Sequence, residues 1–585
     1  MKRRLLPMMM TLVLVCALPI WAAIGTSGDV TNPLVCTAWA DTAEGERNSG
    51  TTQETFTEVT DETTLKKAVA DGKSVRMTQD ITLTSSLYIE KAVTLDMDGH
   101  MLTRMHTYEY DMVVIRSDAT LTLIDSNTGN LQHRFNAGET GWTKAADNAT
   151  GDGIVTVTGG VIYGDAGSSI IINPCGIKIL KGKLEMYGGS IVGIRNAYNA
   201  NGGGVYVSDQ CTFNMYGGSI KGCYVFSDGG GVYVAENGTF TMSGSSAITN
   251  CKGSRGGAVY NAGTFTMRDN SHIADCIYIS SIAGGGGVHN KGTFNVEGGS
   301  ITGSVNDYNR EQSSDDICIE GTLNAGITIA CNVNVVDGGT ISKGTFTGRV
   351  WIYSEGTILD GTFTNEVINY EGRIKAGEFT GKIENSYGKI DGGTFRGSVT
   401  SSGYNAIISD GNFHGTVTNE SGATISGGTF DKNVTNKTYA TLNGGIFYGG
   451  VTNDGGKIED GAYETVKFNS DNGAQAKEEK VLRGQKVAKP TDDPTKSGYT
   501  FTGWEDANGA GAYDFNTPVI APLTLTAKWE KVPSSGGYNY YQPTTDTKTD
   551  GTKGSPKTFD PGAALYGALA LLSLTGMVAL NGKKR

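Results

Sequence analysis

The sequence predicts a mainly β protein built as a parallel β-solenoid, on three observations. The first is a short repeat over residues 337–463, in which Phe346, Phe363, Phe379, Phe395, Phe413, Phe430, Phe447 and Tyr463 return every 16 to 18 residues. In-step columns accompany it: a glycine two positions earlier (Gly344 to Gly461), an aliphatic (Ile341, Ile358, Ile374, Ile390, Ile408, Ile425, Leu442, Ile458) and a valine or isoleucine (Val350 to Val451). Asn369, Asn385, Ser401, Asn419, Asn436 and Asn453 follow the valines by two. The second is a longer repeat from 153 to 336, whose phrases GKLEMYGGSIVG, CTFNMYGGSIKG, GTFTMSGSSAIT, GTFTMRDNSHIA and GTFNVEGGSITG recur every 25 to 29 residues. The third is the dominance of Gly, Thr, Val, Ile and Phe with no helical period across both repeats. Units this short cannot bury their own apolar side chains, so they must stack on one another. The Ile, Phe and Val columns then fill the interior, the Asn column forms an amide ladder, and the glycines mark corners of positive φ or close approach.

Composition narrows the class. Sixty acidic against 48 basic residues, net -12, leave no basic stripe for nucleic acid. Cys223, Cys251 and Cys276 each follow an equivalent isoleucine by three, which places them in one column. They are readable as small buried apolar groups or, at inter-coil distance, as a disulfide pair and a spare thiol. No CxxC pair supports zinc or redox chemistry.

In chain order, residues 1–40 read as a signal peptide: Lys2, Arg3 and Arg4, an apolar stretch, and a cleavage site after Ala38-Trp39-Ala40 or nearer Ala23. Residues 41–56 form a polar leader. Residues 57–152 hold a cap and the first coils. Thr60-Asp61-Glu62 opens a helix with Leu65, Ala68 and Val69 on one face and Gly72 at its end, suited to covering the open end of a solenoid. Alternating strands follow, including LDMDGH. Over 57–126 this order resembles the start of pectin-lyase-like right-handed β-helices. A polar excursion from 132 to 152 is expected to project as a loop.

Residues 153–336 form the long-period β-helix, with about three strands expected per coil. Val205, Val232, Val259 and Val288 point inward, so Tyr206, Tyr233, Tyr260 and His289 form an outward column by alternation. That column is a candidate ligand-contact face for sugars or protein, or else an aromatic ladder worth up to about 1 kcal/mol per pair. A polar loop interrupts at 306–316, and residues 337–463 continue as the short-period solenoid, narrowed or changed in cross-section.

Residues 464–531 change character. Val466-Lys467-Phe468, Gly484, Pro490, Gly498-Tyr499-Thr500-Phe501, Gly503-Trp504, Tyr513-Asp514-Phe515 and Leu523-Thr524-Leu525-Thr526-Ala527-Lys528-Trp529 mark three strand candidates. The segment resembles the Listeria–Bacteroides repeat, related to the B repeats of internalins. The resemblance implies a small β-grasp-like module of bacterial surface proteins. From the residues themselves, Phe468, Tyr499, Phe501, Trp504, Phe515 and Trp529 are the expected core.

Residues 532–554 read as a disordered linker. In 555–585, SPKT precedes 18 apolar or small residues and a basic end, enough for a transmembrane helix. The order looks like a Gram-positive cell-wall sorting signal. The resemblance makes Ser555, Pro556, Lys557 and Thr558 the sortase motif, Thr558 the acyl-transfer point, and sortase and peptidoglycan the partners. Phe559 stands where the motif has glycine, and a simple terminal membrane span is the alternative.

Asp96, Asp98 and His100 are the candidate catalytic cluster, with both aspartates expected on one strand face and no further acid, Arg or Lys in coil register. Six histidines lack ligand spacing. No catalytic residue, metal or cofactor is therefore expected. The expectation is a non-catalytic, surface-anchored adhesin-like protein that contacts host or neighbour glycans or matrix proteins. The alternatives are a surface-displayed polysaccharide lyase or hydrolase, and a passive stalk or coat protein.

Overall fold

The computed structural model describes residues 55–533, apart from 106–109, 128, 130, 165–174, 197–199, 281–283, 307–315 and 510. The signal peptide, most of the leader, most of the linker, the membrane segment and the motif Ser555, Pro556, Lys557 and Thr558 lie outside the described residues, as does most of the 306–316 loop. Among the described residues no helix is long and apolar enough to cross a membrane.

The repeats stack into a solenoid whose successive strands pair in parallel, like residue on like residue. Phe213 registers with Phe240, Phe240 with Phe265, and Phe265 with Phe294. A 24-stranded sheet carries the phenylalanines, a 16-stranded sheet the valines and an 8-stranded sheet the isoleucines. The expectation of three strands per long coil needs correction. A fourth sheet of five strands, each two residues long, begins at Arg195–Asn196 and ends at Val305–Asn306. One coil thus runs Val205–Val207, Thr212–Met215, Ser219–Lys221 and Tyr224–Val225. Two residues are too few for alternation to register in a sequence.

At the change of period the solenoid narrows. The isoleucine sheet ends at Ser300–Thr302 and the fourth sheet at Val305–Asn306, while the other two continue. The handover occurs at Thr322–Ile329, which pairs with Thr340–Phe346 through two register shifts. Leu323 sits under Phe294 and Ile341 under Leu323, so the phenylalanine column of the first half continues as the isoleucine column of the second. A new phenylalanine column starts with Phe346 beneath Ile329. Each short coil then holds Lys389–Ile390 and Thr394–Phe395 in one bent sheet and Val399–Ser402 in the other. The bend falls at the glycine before each phenylalanine. Gly393 has φ +114, and a Cβ there would press on the Phe395 and Phe379 rings.

Two side-chain ladders run inside. Phe346 to Phe447 stack with centroids 4.7 to 5.1 Å apart. The expected amide ladder is present: Asn369 Nδ2 donates to Asn385 Oδ1 at 2.7 Å, Asn419 to Asn436 at 3.0 Å and Asn436 to Asn453 at 2.8 Å. A second ladder went unseen in the sequence, where Asn261 Nδ2 donates to Asn290 Oδ1 at 2.6 Å. Both ladders give buried amide N–H groups an acceptor, while the side-chain oxygens of Asn261, Asn369 and Asn419 meet no donor among the described residues. Cys223, Cys251 and Cys276 are free, wholly buried thiols, so the apolar reading of that column holds. Burial pushes the Cys223 and Cys276 thiols well up. We expect a soluble thiol reagent to leave these three cysteines unlabelled in the native protein and to label them after denaturation. Native labelling, read by peptide mass, would contradict their placement.

Both ends are covered. Helix α1 (Glu62–Asp71) is capped by Asp61, whose carboxylate accepts from Thr64 N at 2.8 Å, and ended by Gly72 at φ +77. Leu65, Ala68 and Val69 are buried against the first coils. Glu62 fastens the helix to the turn below, accepting from Lys66 Nζ at 2.6 Å, Thr84 N at 2.9 Å and Thr84 Oγ1 at 2.7 Å. Burial pushes its carboxyl up, but these donors outweigh burial and hold it at about 2, below the ordinary 4.5. A depressed folded value means stability that is present above the ordinary value and lost as pH falls toward 2. Glu62→Gln should therefore cost on the order of 1 kcal/mol at neutral pH. That gap should shrink below pH 4.5, the carboxyl's ordinary value. Denaturant unfolding of both proteins over a pH series checks this, and a gap indifferent to pH refutes it.

At the far end, Tyr463 does not continue the phenylalanine column. It opens strand Tyr463–Asn469 of a separate four-stranded sheet. Its other strands are Lys477–Leu482, Tyr499–Asp506 and Leu523–Lys531, one more than expected. The first and last strands pair in parallel at the centre, and the other two flank them antiparallel. Phe468 and Trp504 meet edge-on at 5.1 Å in its core, whereas Tyr499 is 40% exposed and is not part of it. This module lies against the last coil. Phe447 N donates to Arg483 O at 2.8 Å, Arg483 N donates to Ala462 O at 2.9 Å, and Leu482 packs on the solenoid core.

The 132–152 excursion is no free loop. Gln132–Gly138, Gly141–Lys144 and Ile154–Thr158 form a three-stranded antiparallel sheet with Gln132–Gly138 at its centre. Phe135, Trp142 and Val157 pack on Met101, Val161, Tyr163 and Val192, the outward side chains of the isoleucine sheet. Trp142 N donates to Gly222 O at 3.1 Å, and Gly222 is glycine because a Cβ would enter the indole. The scattered Phe and Trp carried no period, so their partners were unreadable.

Candidate binding surfaces

The carboxylates once considered for catalysis hold turns. Asp96 ends strand Val93–Asp96 and is wholly buried, while Asp98 lies beyond it in a turn at φ +44, so the two do not share a strand face. A basic partner in register was also missed: Arg76 pairs with Asp96 across the sheet, with Nε 2.8 Å from Oδ2. Asp96 Oδ1 further accepts from Ser126 N at 2.9 Å and Asp98 N at 3.1 Å. Burial works against its charge, but Arg76 and the Ser126 and Asp98 donors outweigh it and hold the carboxyl low. Asp125 accepts from Gly99 N and Gly160 N, both at 2.7 Å, and burial raises it. His100 Nδ1 stands 3.6 Å from Asp80. In the 306–316 stretch, Asp316 accepts from Ser304 N and Asn332 N.

The outward aromatic column forms as expected but is not uniformly exposed. Tyr206, Tyr233, Tyr260 and His289 stack at 5.1, 5.1 and 5.2 Å with nearly parallel rings. Tyr206 and Tyr233 are half-buried, yet Tyr260 is 5% and His289 0% exposed. Charged side chains close over them. Arg255, held by Asp228 at 3.0 and 2.7 Å, covers the Tyr260 ring at 5.0 Å, and Lys178 lies 5.6 Å from that of Tyr206. His289 Nε2 is 2.9 Å and Lys291 Nζ 3.2 Å from the two oxygens of Glu320, whose carboxyl is held at about 2 by these neighbours. Alternation tells which side of a strand a residue takes, not what lies over that side. Only Tyr206 and Tyr233 remain in reach of a ligand, and the ladder reading describes the rest of the column.

A different aromatic series is the exposed one. Tyr353, Tyr370, Tyr387, Tyr404 and Tyr439 occupy the corner after the valine sheet, 36, 42, 42, 79 and 77% exposed. Tyr353 and Tyr370 lie 6.3 Å apart and Tyr370 and Tyr387 5.6 Å, with tilted rings. The Tyr387 ring rests beside Gly403 and the Tyr404 ring beside Gly422 of the following coil. These tyrosines follow their in-pointing Val or Ile by three to five residues, so a strict column search passes over them.

Comparison with protein families matches the Listeria-Bacteroides repeat domain to residues 465–528. Comparison with curated proteins and with solved structures finds no match. The match falls within the four-stranded module that follows the solenoid, between Tyr463 and Lys531. Beyond its parallel β-solenoid, then, this chain carries a Listeria-Bacteroides repeat domain, a module that occurs in surface-associated bacterial proteins.

Proposed function

We propose that the chain is a non-catalytic binding or structural protein of the bacterial cell envelope. The solenoid serves as stalk and contact face, and the segment from Ser555 to the basic end serves as the anchor. The observation that carries this reading is the Listeria-Bacteroides repeat domain seated on the last solenoid coil, which makes one continuous rod of a surface module and a repeat array. Sortase acting at Thr558, with peptidoglycan as acceptor, is the attachment we favour. Adhesion to glycans or matrix proteins of a host or neighbouring cell is the role that fits a rod with laterally exposed aromatics. The catalytic alternative was motivated by Asp96 and Asp98, and those carboxylates are engaged in holding turns.

Protease treatment and antibody labelling of intact cells test the location. Muramidase release of wall-linked chains, with Thr558→Ala alongside, tests the anchor. Surface labelling is the expected result, and recovery of the protein from cytosol alone overturns the proposal. Release of the Thr558→Ala chain with membranes instead of wall would identify the terminal segment as a membrane span that sortase normally replaces.

A further inference from the structure

The bend at each glycine of the short coils makes the phenylalanine sheet concave on its outer side. Glycine φ values of +146, +139, +126, +114 and +130 at Gly344, Gly361, Gly377, Gly393 and Gly411 repeat the same bend in five successive coils. The result is an open trough of about 630 Å³ along the solenoid axis, within the size range of small-ligand sites. Its length is roughly 20 Å at the spacing of paired strands.

The lining is polar. Lys343, Asp360, Thr362, Glu378, Thr394 and Asn412 stand along it over a floor of glycine backbone. The charges balance. Glu378 is paired with Arg396 at 2.7 Å, and Lys343 and Asp360 leave one cation and one anion without ion-pair partners among the described residues. A polyanion would be repelled by as many groups as it met with attraction. A peptide strand has nothing to pair with, because the floor and wall strands already spend their backbone groups on the coils above and below. Hydroxyls, amides and carboxylates repeated at coil spacing suit a ligand that presents hydroxyls at a comparable step. An extended chain of pyranose rings is such a ligand.

The exposed tyrosine corner runs parallel to the trough. In each coil one two-residue strand, such as Arg373–Ile374, separates the two. Tyrosine combines a flat apolar face with a hydroxyl at low conformational cost, which is why it recurs where one side of a contact is apolar and the other wet. The C–H faces of sugars are surfaces of that kind.

The geometry points to a binding site for a linear, uncharged polysaccharide, laid along the trough at 343–412 with the Tyr353 to Tyr404 edge as its aromatic flank. This rests on the reading of the protein as a surface binder and gives its ligand class. The full chain, run in native gels containing a β-1,4-glucan, xylan, mannan or polygalacturonate, tests it. We expect retardation by at least one of the three neutral polymers and none by polygalacturonate. Thr362→Arg with Thr394→Arg, which places two long side chains in the trough, should weaken that retardation by about tenfold or more. Tyr404→Ala should weaken it several-fold and, because the ring is largely in solvent, leaves folding intact. It keeps the test valid should the arginine pair fail to fold. Retardation by polygalacturonate alone, by no polymer, or equally in wild type and both variants overturns the inference. Surface labelling is measured apart, so a chain displayed on cells that binds no neutral polymer sinks the ligand and spares the location.

Discussion

Phe395→Ala is expected to destabilise the short-period solenoid by about 3–5 kcal/mol. Phe395 is wholly buried, and its ring lies 4.9 Å from Phe379 and 4.7 Å from Phe413. Truncation removes both stacking contacts and opens a cavity. Collapse into that cavity is restricted, because the coil is hydrogen-bonded in register above and below along both sheets. A solenoid stabilises each unit only through its neighbours, so the loss is felt first by adjoining coils. Denaturant unfolding gives the magnitude, and hydrogen exchange shows whether amides of 389–420 lose protection first. Tyr448→Ala, at a ring 45% exposed, is the control and should cost under about 1 kcal/mol. Equal effects at the two positions would mean that the stacked column is not what holds these coils.

Deletion of residues 463–531 should make the chain associate through its exposed solenoid end. The module covers the end of the apolar interior: Arg483 O takes the Phe447 N–H, and Leu482 and Tyr463 pack on the solenoid core. Without it Phe447, Leu442 and Ala462, now buried, would face water beside an open sheet edge. An uncapped strand edge with an apolar face is a template for further pairing. Size-exclusion chromatography with light scattering reads the outcome. A deleted chain that elutes no larger than the full chain, with its melting unchanged, would show that the module is merely tethered to the solenoid. The Listeria-Bacteroides repeat domain would then have no structural role beyond its own fold.

How much was legible follows from how each feature is encoded. The buried columns were readable because stacking forces one residue type to recur: Phe363 to Phe447, Ile358 to Ile425 and Asn369 to Asn436 sit where the spacing placed them. The capping helix was readable because its start, face and end are local, in Asp61, Leu65 and Gly72. Features without a period were not. Trp142 reaches Gly222, eighty residues on, with no signal linking the two. Arg76 meets Asp96 across coils too irregular in length for register to be counted. The phenylalanines of the two repeats stand in different columns, because two register shifts at Thr322–Ile329 carry the first column on as isoleucine and start the second.

The candidate sites divide in the same way. Side-chain direction at Tyr206, Tyr233, Tyr260 and His289 followed from alternation, but exposure depended on Glu320 and Lys178, which arrive from neighbouring coils, and on Arg255, which Asp228 of the coil before holds over the Tyr260 ring. The sequence by itself determined that successive turns stack in parallel, which side chains fill the interior, and that a Listeria-Bacteroides repeat follows, since each is a matter of local pattern repeated. Only the tertiary structure decided that the change of period narrows the section, how the far end is closed, and that the outer surface offers a polar trough beside a tyrosine edge. Those depend on which coils meet and how sharply a glycine bends a sheet, and neither is written in any one repeat.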